Sequence, residues 1–179
     1  MAERSITGVW LMRGAYLGLA LVIIFFHLIP LETVPRRWAP PDFLMAFTFA
    51  WVLRRPEYAP VLCIAVVMLT ADLMFQRPPG LLAVLVVIGA EYLKNRAAHA
   101  REPNFLAEWA NVALVVLAIG LINRLVLVLL LVPLPPLSLH LIQSLLTVAV
   151  YPLCVFLTRT VMGVRRPSTG DPDALGGRA

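Results

Sequence analysis

The chain has 179 residues, 60% of them hydrophobic and 14% charged, with a net charge of +5. A soluble domain carries about 25% charged and about 45–50% apolar residues, and a globule this small keeps much of its surface in water. The composition excludes an ordinary soluble enzyme and a disordered chain, and it calls for an all-α integral membrane protein. Fourteen of the fifteen cations are arginine, gathered at the ends of apolar runs. In a soluble protein that excess would point to nucleic acid. Here it marks orientation, because basic residues collect on the cytoplasmic side of membrane helices. Cys63 and Cys154 both lie inside apolar runs and read as small core residues.

The first apolar run covers 10–31, with Arg4 and Arg13 at its start and no cleavage signal after it. It reads as a retained span. Pro30, Pro35, Pro40 and Pro41 then make a loop. The second run, 43–53, is short, and Asp42 is placed to cap it. A full span needs ~20 residues, with a usual range of about 17–25; this run reaches the lower end only by borrowing from Trp38 or from the Arg54-Arg55 side, over 38–54, and the alternative is a half-span. The third span, 58–75, contains Asp72, and Gln76 to Gly80, reading QRPPG, is a tight turn. The fourth, 81–97, contains Glu91, with Lys94 three residues on and able to neutralise it. The fifth, 105–132, has 28 residues. At ~1.5 Å each it is longer than ~30 Å of hydrocarbon and has to tilt or project. The sixth is 137–162, and residues 165–179 form a polar tail expected to be disordered. The transmembrane domain is thus 1–164, a six-helix bundle.

Six spans put both termini on one side. With the N-terminus inside, eleven cations face the cytoplasm, three face outward, and Arg124 lies within a span. That bias supports N-in and C-in. It collapses if the second run does not cross.

Polar side chains in hydrocarbon are costly and face other helices or a cavity. His140, Gln143, Ser144, Thr147, Tyr151, Cys154 and Thr158 recur at steps of three and four, so the sixth helix has one polar stripe. Interhelical hydrogen bonding is the first reading of that stripe, a pore or substrate cavity the sharper one, and a partner-protein interface the third. Asp72 fits a helix-end interaction or a local ion pair, with an anchor for a partner or a ligand as the alternative. Arg124 is placed to snorkel to the headgroups or to pair with Asp72. Gly14 and Gly18 make a GxxxG face that permits close packing. Trp10, Trp38, Trp51, Tyr58, Tyr92 and Trp109 fall near span ends, where amphipathic rings belong. No nucleotide loop, metal motif, nucleophile elbow or paired carboxylates are present. The residues therefore assign no cofactor and no catalytic role.

The stretch from Pro41 to Asn95 carries a family likeness. Its landmarks are Pro41-Asp42, the Arg54-Arg55-Pro56 break, Asp72 followed by Arg77-Pro78 and Gly80, and Glu91. Tyr151-Pro152 and Asp173-Ala174-Leu175-Gly176 add to it. The chain resembles the rod shape-determining protein MreD in its alphaproteobacterial form. The resemblance implies a non-enzymatic inner-membrane subunit of the lateral cell-wall synthesis machinery. It also implies a six-helix architecture similar to the substrate-binding subunits of energy-coupling-factor transporters. The implied partner is the bitopic protein MreC, and through it MreB, RodA and a class B penicillin-binding protein. Asp72, Gly80 and Glu91 are the implied landmarks for fold or assembly. The competing reading is a small-molecule-binding subunit of a transporter, motivated by the polar stripe and the helix count.

Overall fold

The computed structural model describes residues 2–29, 39–99, 104–132, 134 and 136–160, with side chains from residue 7 onward. The expected tail, Trp38 and most of the loop before Asp42 lie outside the described residues. Within them the secondary structure is helical: α1 (Ala2–Leu28), α2 (Phe43–Arg54), α3 (Val61–Met74), α4 (Leu81–His99), α5 (Phe105–Leu129) and α6 (Leu137–Thr160). These are the six expected elements, with shifted ends. The first helix starts eight residues before the expected position 10, because no residue between Ala2 and Trp10 breaks it. The fifth stops at Leu129, where Leu131 takes a left-handed φ of 55° ahead of the proline run.

The helices do not share one length. Three are long and apolar enough to cross a membrane: Thr7–Leu28 within α1, α5 and α6. Of the residues in their spanning windows, 17%, 22% and 33% are buried. Most of each surface therefore needs an apolar solvent, since a soluble monomer rarely exposes so large an apolar area. The chain is a helical membrane protein. In contrast, α2 has 12 residues and α3 has 14, so their helical parts measure roughly 18 and 21 Å, less than ~30 Å of hydrocarbon. The fourth helix has 19 residues but carries Glu91, Lys94 and Arg96 in its second half.

The short α2 is the centre of the bundle. It packs on α1, α4 and α6, and nine of its twelve residues are buried. A helix that is hydrophobic all round belongs inside; only Thr48, Arg54 and its cap break that pattern. Thr48 gives its hydroxyl hydrogen to Leu44 O at 2.7 Å. Its Oγ is then the acceptor for Tyr16 OH, 3.0 Å away on α1. Trp51, expected at the membrane interface, is instead fully buried, against Tyr16 with ring centroids 5.6 Å apart. Its Nε1 finds no acceptor among the described residues.

Among the described residues, close helix contact does not occur at the GxxxG pair. Gly14 and Gly18 are on the exposed side of α1, and a Cβ on either would meet nothing within 4 Å. The tight positions are Gly89 and Gly120. A Cβ at Gly89 would lie 2.8 Å from Val115 Cγ1, and at Gly120 2.9 Å from His140 Nε2. Absence of a side chain there lets α4 and α6 each approach α5.

Candidate functional site

Two polar regions organise the bundle, one at each end of α2. At the C-terminal end, Arg54 Nη1 lies 2.6 Å from Glu108 Oε1, and Tyr151 OH donates to the same oxygen at 2.6 Å. The Arg54 and Glu108 side chains are 10% and 6% exposed. Helix chemistry prepares both charges. Arg54 is in the last turn of α2 and Glu108 in the first turn of α5, the ends where the macrodipole favours a cation and an anion. Asn104 caps α5 by accepting from Leu106 N at 2.9 Å. Tyr151 belongs to the polar stripe expected from the sequence. Glu108, which carries the charge of this cluster, is not among the expected residues. The available signal was that a buried Tyr hydroxyl has to find a partner, and Glu108 is the one carboxylate in the fifth apolar run.

Trp109 extends the same contact. Pro152 inside α6 has no N–H, so Val148 O loses its helical donor. Trp109 Nε1 on α5 supplies the missing bond at 2.9 Å, as a neighbouring helix does for a proline in a membrane span. Trp109 is thus a helix fastener as well as an amphipathic ring.

The opposite end is built around Asp72 and Asp42. Asp72 is 1% exposed, near the C-terminus of α3, where the dipole alone disfavours an anion. Its Oδ2 accepts from Gly80 N at 3.1 Å and Ala83 N at 3.2 Å, capping α4 from another helix. A capping box divides those two N–H groups between two local side chains. Gly80 has none to offer, so one remote carboxylate serves both. Gly80 also adopts φ +88°, a region costly for residues with a Cβ. The helix-end reading of Asp72 therefore holds, and its hydrogen bonds run to backbone. Arg77, five residues on, instead reaches Asp42 Oδ2 at 3.9 Å. Asp42 caps α2 as its position predicts, accepting from Met45 N at 3.0 Å. Glu91 and Lys94 form the expected i,i+3 pair at 2.9 Å, with both side chains more than a third exposed.

The polar stripe of α6 faces the bundle, with Ser144, Thr147, Tyr151, Cys154 and Thr158 buried. Its hydroxyls, however, largely bond their own helix. Ser144, Thr147 and Thr158 donate to the carbonyls of His140, Gln143 and Cys154 at 3.0, 2.7 and 2.5 Å. This i−4 bonding satisfies a hydroxyl where water is absent. Interhelical bonds add to it at three points. Asp42 N donates to Thr147 Oγ1 at 2.9 Å, Tyr151 reaches Glu108, and His140 Nε2 meets Gly120 O at 3.1 Å. A carbonyl only accepts, so Nε2 carries the hydrogen in that last bond.

Thr147 lies ten residues into α6, so α2 begins roughly 15 Å below the start of α6. That recess leaves a cavity of about 290 Å³. Its floor includes Asp42 and Met45, and its walls include Arg77, Asn123, Arg124, His140 and Gln143. The structure thus brings Arg124 together with His140, Gln143, Ser144 and Thr147, and leaves Tyr151, Gly80 and Glu91 elsewhere. Among the described residues no cluster of His, Cys, Asp and Glu has metal-ligand geometry.

These features define a class, a helical membrane bundle whose interior charges fasten helix ends and whose short central helix leaves one polar recess. No protein-family model, curated protein or solved structure matches the chain.

Proposed function

We propose that this chain is a non-enzymatic subunit of the bacterial cell-elongation machinery, seated in the inner membrane with both termini cytoplasmic. In this reading it works with MreC to organise lateral peptidoglycan synthesis, and through MreC it meets MreB, RodA and a class B penicillin-binding protein. The likeness of residues 41–95 to MreD supports it. The observation that carries it is the use of the landmark residues. Asp72 and Gly80 close the α3–α4 corner, and Arg77 reaches across to the α2 cap. These residues shape a scaffold and are not arranged around a reacting atom. The test is co-purification of MreC with the chain in mild detergent, together with depletion in a rod-shaped host. Rounded cells are expected, and a host that keeps its rod shape on depletion rejects the reading.

One observation favours a second reading, a small-molecule-binding subunit of a transporter. It is the polar recess between α5 and α6, with two guanidiniums on its wall. A water-soluble metabolite retained after mild purification would select this reading over the first.

A further inference from the structure

The recess is one of two cavities that meet. A second, of about 770 Å³, lies between α1, α2 and α6, with a wall built mainly of Ile23, Phe26, Phe43, Phe47 and Leu146. Asp42, Arg77 and Gln143 line both spaces. A polar, cationic compartment is therefore adjacent to a larger apolar one, with these three side chains on the wall of both. That is the shape of an amphiphile, with a headgroup in one part and a chain in the other.

We propose that the two cavities form a site for one anionic phospholipid. Its phosphate diester sits among Arg77, Arg124 and Gln143, and an acyl chain lies along the apolar groove. Guanidinium groups suit phosphate because their fork of N–H donors matches its oxygens. On the wall of the smaller cavity the two arginines outnumber the one carboxylate, Asp42. At about 290 Å³ the polar compartment is at the lower edge of ligand pockets, which run from ~300 to ~1,000 Å³. The headgroup is held below the ends of α5 and α6, because the floor is the recessed start of α2. This depth separates the site from the ordinary lipid annulus. The inference rests on the cavities and is compatible with the first reading of the function, whereas a soluble metabolite in the recess would exclude it.

The test is native mass spectrometry of the full chain released from micelles containing equal amounts of phosphatidylglycerol and phosphatidylcholine. One phosphatidylglycerol per chain is expected to persist, in preference to phosphatidylcholine. The double variant Arg77→Gln/Arg124→Gln is expected to weaken retention roughly ten-fold or more, the scale of one or two charge-assisted hydrogen bonds. Arg159→Gln, which removes an exposed cation near the far end of α6, is expected to leave retention unchanged. Leu146→Trp, which fills the apolar groove, is expected to reduce retention with both arginines in place. Equal retention of the two lipids by the wild-type chain overturns the proposal, and that measurement needs no variant. Unchanged retention in the double variant overturns it too. Displacement of phosphatidylglycerol by inorganic phosphate at comparable concentration marks a site for a soluble anion and overturns the acyl-chain half.

Discussion

The two ends of α2 carry the same kinds of charged group in opposite settings. At the C-terminal end, Arg54, Glu108 and Tyr151 converge with 2.6 Å contacts, and both charged side chains are at most 10% exposed. At the N-terminal end, Arg77 and Asp42 stand 3.9 Å apart with side chains 34% and 19% exposed, on the wall of a cavity. The first is a closed clasp, the second an open rim. Burial decides the difference. A fully packed ion pair cannot lose one member without stranding the other, whereas a half-exposed pair can exchange its partner for water or for another ion.

The largest effect is expected at the clasp. Glu108→Ala leaves Arg54 and Tyr151 without their shared oxygen and should cost about 3–5 kcal/mol, read as a large drop in the midpoint of thermal unfolding in detergent. A small loss there would mean that the clasp is not closed. Asp72→Ala comes next, because two backbone N–H groups at the start of α4 lose their acceptor. About 2–3 kcal/mol is expected, with hydrogen exchange rising first over residues 80–84. Gly80→Ala keeps both N–H bonds but strains a left-handed backbone, for about 1–2 kcal/mol by the same unfolding measurement. Asp42→Ala removes a cap at the open rim and should cost about 1 kcal/mol; a cost matching Glu108→Ala would erase the contrast between the two ends. Glu91→Gln sets the baseline. Its pair with Lys94 is a surface i,i+3 contact worth under about 0.5 kcal/mol, so the unfolding midpoint should stay put.

The sequence makes the local features readable and the cross-helix ones not. Asp42 before an apolar run is a cap on sight, and Glu91 with Lys94 is a pair by spacing alone. The six runs are separated by proline and charge, and they correspond to the six helices. Tertiary choices are different. That Trp109 meets Val148 depends on which helix lies opposite Pro152, and nothing local to either position encodes that. Glu108 looks like an ordinary first-turn acid until Tyr151 and Arg54 are brought to it from two other helices. Gly14 and Gly18 show the reverse case. Their spacing matches a packing motif, yet the bundle packs at Gly89 and Gly120, where side-chain size across the contact decides. The central position of α2 was partly legible, since its one-sided polarity is so slight.

The shortness of α2 also has an electrical consequence. A transmembrane voltage falls across the part of the path that excludes water. With water admitted to the recess, the column through α2 is insulated over roughly 18 Å, against ~30 Å for the surrounding lipid. The same voltage then falls over little more than half the distance, so the field along α2 is steeper than in the neighbouring bilayer. A charge moved across the full drop exchanges ~2.3 kcal/mol per 100 mV. Arg77, Asp42 and Arg124 sit at the mouth of that column, where a small displacement samples a larger share of the voltage than it would in an evenly thick bundle.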